Sequence, residues 1–467
     1  MRAITAIALV LFLGGTVAAH VPESTADAAQ SPGVTELGQT PTKPVASTRE
    51  GGVAAKAPSE ARIEELERRI RELESRLLDL EKSSGRAQTA PAVPSRAEAD
   101  AAGQNPTPPV AAGTVRDEGA GASQTGPLSG YMDFHFNKPQ HEDGQLDFHR
   151  FVLLVNHSFS DRLRFVGELE LEHAFVTGLE PSGELELEQA YLDFRIRPEA
   201  NLRAGMILAP VGIINERHEP PSFNGVERPF VDTFIIPTTW FDAGVGLHGA
   251  LGASWQYRAY LMAPLDATRI TAEEGLHETP QKGFNSNVRS VAQTGRLEYV
   301  GMPGLTLGAS FWRGKTGFNF PRRDSRSGLV ELDGRYHHGP FAVRGEFAQV
   351  FVDGAGDLND LLQRTAGVNP NIARQMRGFY VEPSLRPLPR LRHDLAAFVR
   401  YENFDTQFKM PEGVLPLKQF DRTAWVIGGS YYPDPDVVFK VDYSLVRNRS
   451  SLFSSVDSFN IGLGWWF

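Results

Sequence analysis

The sequence predicts an all-β protein, a sixteen-stranded antiparallel transmembrane β-barrel with an N-terminal α-helical coiled-coil segment. Three observations predict it. From Leu128 onward apolar and polar side chains alternate with the period of a strand, and turn residues punctuate the pattern about every 20 residues. Alternate junctions are tight (Ser160-Asp161, Pro198-Glu199-Ala200, Gly301-Met302-Pro303, His338-Gly339, Pro433-Asp434-Pro435), while those between them are long, as from Pro210 to Trp240 and from Asp353 to Arg377. Short turns at one end and long loops at the other mark an outer-membrane barrel, with the short side periplasmic. Finally, the chain closes on SFNIGLGWWF, where Phe459, Ile461, Leu463, Trp465 and Phe467 form one greasy row. Three aromatic rings at a chain end are poorly placed in water, and lipid would receive them.

In chain order, residues 1–19 read as a signal peptide: Arg2, an apolar core from Ala3 to Leu13, and small residues before a cleavage after Ala19. That core is shorter than the roughly 20 residues of a spanning helix. Residues 20–58 are rich in Ala, Pro, Ser, Thr and Gly and cannot bury a core, so they are expected as a disordered linker. In residues 59–83, Ile63, Leu66, Ile70, Leu73, Leu77 and Leu80 occupy the a and d positions of a heptad. Arg62, Arg69 and Arg76 fall at g, and Glu67, Glu74 and Glu81 at e, so each arginine faces a glutamate of a parallel, in-register copy. A parallel coiled coil follows, and with it self-association. Ile at a with Leu at d leans towards two strands, whereas a trimeric body would impose three. Residues 84–126 form a second linker, spanning on the order of 35 Å as a flexible coil.

The barrel domain, 127–467, is expected to hold strands near Leu128 to Asn137, Asp147 to Phe159, Arg162 to Phe175, Leu185 to Arg197, Asn201 to Ala209, Phe241 to Ala250, Ala253 to Met262 and Val288 to Tyr299. Eight more run near Gly304 to Trp312, Gly328 to His337, Pro340 to Val352, Gly378 to Arg386, Arg392 to Glu402, Arg422 to Tyr432, Val437 to Arg447 and Val456 to Phe467. An even count puts both ends of the barrel, and hence the coiled coil, on the periplasmic side. Arg164, Glu168, Glu170 and Glu172 oppose Leu163, Phe165, Leu169 and Leu171, while Lys440 and Asp442 oppose Phe439, Val441 and Tyr443. A charge facing lipid at mid-membrane costs about 2–4 kcal/mol for Arg or Lys, so these rows, with Asp193, Arg195 and Arg203, are expected on a hydrated inner wall. The alternation breaks in LELEQAYLDF, where Leu185 and Leu187 are out of phase with Leu192 and Phe194. That break predicts either a bulge or a strand top standing above the membrane.

The stretch LRAGMILAPVGIINERHEPPSFNGVERPFVDTFIIPTTWFDAGVGLHG resembles the fifth strand, infolded third loop and sixth strand of the phosphate-selective porin O and P family, most sharply from Gly205 to Pro210 and at Glu227-Arg228. The resemblance covers the barrel from about Leu128 to Phe467. It implies a trimeric sixteen-stranded channel narrowed by that loop, which makes Glu216, Arg217, His218, Glu219, Glu227, Arg228 and Asp232 the candidate constriction. Where the family often carries a lysine, this chain has Leu208, and its loop charges are mixed. An anion filter needs a ring of Arg or Lys, so the composition argues against phosphate selectivity. The terminal aromatic row resembles the signal that the barrel assembly machinery binds.

The net charge of -10 argues against nucleic acid as a partner, and the absence of cysteine excludes disulfides and thiolate chemistry. Gly244-Val-Gly246-Leu-His-Gly249 lies inside a strand and so is no nucleotide fingerprint. No His-Glu-x-x-His, P-loop or Gly-x-Ser-x-Gly pattern occurs, so no enzymatic activity, catalytic residue, metal or cofactor is expected. The expected function is passive diffusion of small ions and solutes. The rival is a structural outer-membrane anchor whose coiled coil tethers the cell wall or a periplasmic partner.

Overall fold

The computed structural model describes residues 127–173, 183–317, 325–386 and 394–467; the segments expected as signal peptide, coiled coil and linkers lie outside them. Sixteen strands close into one barrel: β1 (Leu128–Pro139), β2 (Gln145–Ser158), β3 (Leu163–Glu172), β4 (Glu184–Arg197), β5 (Ala200–Leu208), β6 (Phe241–Leu251), β7 (Trp255–Met262), β8 (Ala292–Met302), β9 (Leu305–Lys315), β10 (Arg326–His338), β11 (Phe341–Asp353), β12 (Gln375–Leu385), β13 (Asp394–Lys409), β14 (Asp421–Asp434), β15 (Val437–Asn448) and β16 (Ser458–Trp466). Each strand pairs antiparallel with its sequence neighbours, and β1 closes on β16. The seam is finished by Phe467, whose N–H donates to the Gly130 carbonyl at 2.9 Å while its own carbonyl accepts from Gly130 N at 3.0 Å.

Among the described residues, one end of the barrel carries the short connections 159–162, 198–199, 252–254, 303–304, 339–340 and 435–436; the other carries 140–144, 209–240, 263–291, 354–374, 410–420 and 449–457. Sequence and structure differ at β8, which starts at Ala292 rather than Val288: Val288 and Val291 lie exposed at the end of a loop whose first half buries Leu265, Ile270 and Leu276. A helix unforeseen in the sequence, α1 (Ala355–Ala366), sits in the β11–β12 loop. It is bounded by Gly354 and Gly367, both left-handed, and it buries Ala355 and Leu358. Glycine is favoured at both ends because it adopts positive φ without steric cost.

Among the register shifts of the barrel, the bulges in β4 and β2 decide which side chains enter the lumen there. Glu168 pairs with Gln189 but Leu169 with Leu187, so β4 holds one extra residue. Glu188 is buried and Gln189 bonds to Glu168, so both face inward, while Leu187 and Leu192 on either side are exposed. The broken alternation of LELEQAYLDF is therefore a bulge. The second lies in β2, where Asp133 pairs with Arg150 but His135 with Asp147. Phe148 and Phe151 pack on the outer rings Phe134 and Phe467, leaving His149 and Arg150 between them on the inner side.

The outer surface is a belt of exposed apolar side chains that includes Leu332, Ile427, Phe439, Val441 and Ile461. The interior departs from a uniformly charged, hydrated lumen. Towards the long-loop end, inward Trp312, Leu329, Val350, Met376 and Phe404 form one buried apolar cluster with Ile214, Ile235, Ile236 and Trp240 of the β5–β6 loop and with Ile270, Leu276 and Ile372 of the neighbouring loops. These wall strands are apolar on both faces, as in Phe347-Ala-Gln-Val-Phe-Val352, a pattern that belongs to strands covered on both sides.

Candidate functional site: a loop folded into the barrel

The loop at 209–240 is built from its base inward. β5 reaches it through Gly205, whose φ of 137° and close approach leave no room for a side chain: a Cβ there would stand 2.2 Å from the Ala190 carbonyl oxygen. Asn215 then ties the two ends of the loop together. Its amide donates to the carbonyls of Ala209 (2.8 Å) and Trp240 (2.9 Å), and its side-chain oxygen accepts from Trp240 N at 2.7 Å. Asn215 is fully buried, and no residue-type pattern in the sequence singles it out.

From this base the loop crosses to the far wall. Lys440 of β15 donates to three loop carbonyls, Pro220 (2.5 Å), Phe223 (2.7 Å) and Gly225 (2.7 Å). Asp442, two residues on, accepts from Val226 N at 2.6 Å, and Glu402 of β13 accepts from Val231 N at 3.1 Å. Lys440 is only 4% exposed and Asp442 only 3%, so both stand on the inner wall but under the loop rather than beside open water. Apolar loop side chains and charged wall groups thus seat the same segment. A single π-helical turn, Val231–Ile235, packs against β11, β12 and β13.

The structure places the other loop residues singled out in the sequence as follows. Glu216 is 3.1 Å from Arg258 of β7. His218 is buried with Nε2 3.1 Å from Glu188 and 3.8 Å from Glu168. Glu227 meets His135 (3.0 Å) and Asn137 (2.9 Å) of β1. Arg228 reaches Thr239 at 3.3 Å and the His218 carbonyl at 3.5 Å, while Arg217 and Glu219 are half-buried. Asp232 is fully buried, and its carboxylate oxygens accept no hydrogen bond. Burial, with Glu402 and Glu331 close by, pushes its carboxyl well above the usual carboxylate range.

Glu168 and Glu170 are buried behind the loop, and Glu172 is half-buried further towards the long-loop end of β3. The remaining wall residues gather elsewhere. Arg164, Asp193, Arg195 and Arg203 line a cleft of about 420 Å³ at the short-turn end, together with Arg162 and His248. Asp193 is the acid of that group, 3.0 Å from both Arg203 and His248. Phe459, Ile461 and Phe467 are exposed on the outer surface, with Leu463 and Trp465 in the same row.

Away from that cleft, buried arginines of the wall are paired with acids. Arg296 lies 2.6 Å from Asp333, 3.1 Å from Glu298 and 3.2 Å from Glu331. Arg400 lies 2.7 Å from Glu402 and 3.2 Å from Glu382, and Glu382 also meets Arg344 at 2.7 Å. Paired in this way, the charges brace the inner wall.

No family model matches the chain. An uncharacterized protein of Aquifex aeolicus (strain VF5) is 32% identical over 365 residues, which cover 73% of this chain and 79% of that protein. The chain belongs to that protein's family. Among solved structures, the fold is similar to Salmonella typhi OmpF in complex with daunomycin, with a TM-score of 0.51, 13% identity, and coverage of 73% of this chain and 97% of that one. The outer membrane channel DcaP of Acinetobacter baumannii matches with a TM-score of 0.49, 12% identity, and coverage of 73% and 96%. At 13% identity the likeness to OmpF shows a shared barrel fold.

Proposed function

We propose that this chain is an outer-membrane porin, a barrel for passive diffusion of small ions and solutes that is narrowed by the loop at 209–240. The observation that carries the reading is the closed barrel with an apolar outer belt, on which Val441 is 45% and Ile461 43% exposed. An apolar surface continuous around a barrel is stable in a bilayer and aggregation-prone in water. The loop's bonds to β1, β7, β13 and β15 support its role as the constriction, with Glu216, Arg217, His218, Glu219, Glu227, Arg228 and Asp232 on it. The pairing of the buried wall arginines with acids, as at Arg296 and Arg400, supports weak ion discrimination rather than phosphate selectivity. In this reading residues 1–19 direct export and the row ending in Phe467 engages the barrel assembly machinery. The even strand count puts the coiled coil of residues 59–83 in the periplasm, and the resemblance to the O and P porins implies a trimeric barrel.

The test is a planar bilayer holding the mature protein, with the reversal potential measured in a salt gradient and phosphate then titrated. Channels of weak selectivity that phosphate leaves open support the reading. Block by phosphate would instead establish an anion site, for which the arginine-lined cleft is the candidate. The packed apolar cluster inside the long-loop end favours a second reading, in which the barrel anchors and the coiled coil tethers. Silent bilayers, with envelope defects on deleting residues 20–126, would establish that one.

A further inference from the structure

Outside the loop, the inner wall near the long-loop end carries a cluster of histidines and acids on β1, β2 and the end of β3. Asp147 is at its centre. His149 Nδ1 lies 3.3 Å from one of its carboxylate oxygens, and His173 Nδ1 lies 2.9 Å from the other. We propose that Asp147, His149 and His173 bind a divalent transition-metal cation of the zinc type.

Two departures from regular strand geometry aim these side chains at one another. Counted from Arg150 and Val152, which face inward, regular alternation would put Asp147 and His149 on the outer surface. The β2 bulge shifts the phase and turns both into the lumen. His173 follows Glu172 and would also point outward, but it has a φ of 53°, and its N–H is tied to the His149 carbonyl at 2.9 Å. A non-glycine residue at positive φ is uncommon. Here it brings the second imidazole to the same carboxylate.

The donor set fits the ion. Two imidazole nitrogens and a carboxylate oxygen suit zinc and its neighbours, with ligand distances of about 2.0–2.2 Å that need donors roughly 3–3.5 Å apart. The three donor atoms already lie within 4.8 Å of one another. All three residues are partly exposed, so the ion has a path in and water can complete the coordination. A supporting layer is present as well. The His135 ring stacks on His149 with centroids 4.4 Å apart, and it is held between Asp133 (2.9 Å) and Glu227 (3.0 Å). Asp133 and Glu227 balance Arg150, itself 3.3 Å from Asp133, and the His135 ring, so Asp147 is left as the negative ligand for the ion.

The test is isothermal titration of zinc into the untagged, folded barrel protein in detergent, and its readout is independent of whether the barrel conducts. The expected result is one tight site per chain. H149N and H173N should each weaken it by more than tenfold, H135A should weaken it less, and H157N, on the outer surface near the short-turn end, should leave it unchanged. Heat-modifiable gel mobility confirms that each variant remains folded. Cobalt is the second probe, and its visible absorption should be lost in the H149N/H173N double variant. Absence of zinc binding, or equal binding by the folded double variant, would overturn the proposal.

Discussion

The ammonium of Lys440 stands 4.0 Å from the centre of the Phe223 ring and donates to the carbonyl oxygen of the same residue at 2.7 Å. A charge drawn from the barrel wall is thus covered by the loop on top of it. Replacing it with a chain of similar shape and no charge, K440M, removes three charge-assisted hydrogen bonds and leaves three carbonyls to water. Loop docking should weaken by about 3 kcal/mol. In the porin reading, single-channel conductance rises and fluctuates; an unchanged conductance would mean that the loop does not set the pore width.

Arg296 holds three acids, Glu298, Glu331 and Asp333, all nearly inaccessible. R296A takes the nearest cation from Glu331 and Asp333, while Glu298 keeps Arg258 at 2.6 Å; breaking a buried pair from one side costs about 3–5 kcal/mol. The thermal midpoint of the barrel in detergent should fall clearly, and R296K should recover only part of it because an ammonium lacks the planar fork.

Asp232 makes docking depend on pH. Its carboxyl lies well above the usual range in the docked loop, facing Glu331 of β10, Glu346 and Arg344 of β11, and Glu402 and Arg400 of β13. A group with a raised pKa in the folded state lends its stability in full below its ordinary value of about 4, and loses it as pH rises through the folded value. Thermal midpoints measured from about pH 4 to about pH 9 should therefore fall more for the native protein than for D232N. Parallel curves would assign the pH dependence to other groups.

Deleting Phe467 removes the two backbone bonds to Gly130 and a ring stacked on Phe151 with centroids 5.7 Å apart. The yield of folded barrel in cells should drop several-fold, read as the heat-modifiable band on a cold gel. Adding one polar residue after Phe467 keeps the seam intact, so a similar drop in that variant would point to recognition during assembly rather than to lost stability.

The β4 bulge was legible in the sequence because Leu185 and Leu187 break phase with Leu192 and Phe194, which only an inserted residue or a strand outside the membrane explains. The β2 bulge was not, since Phe148 and Phe151 leave the apolar pattern of Asp-Phe-His-Arg-Phe-Val-Leu readable in either phase. Helix α1 carried a signal in Leu358, Leu361 and Leu362 between two glycines, hidden by its place in a long loop. The histidine cluster escaped motif reading because its residues come from neighbouring strands and depend on a bulge and a positive φ.

What the sequence by itself determined is local and periodic: the sixteen strands, the alternation of short and long connections, and the outward row ending in Phe467. Each follows from side-chain period and turn chemistry over a few residues. What only the tertiary structure decided is which inner-wall charges are covered and by what. Val226 and Asp442 meet although 216 residues separate them in the chain. Lys440, read in its strand, is a charge opposite a greasy row. Its role was fixed by the loop that lies across it, because burial and pairing belong to the assembled interior.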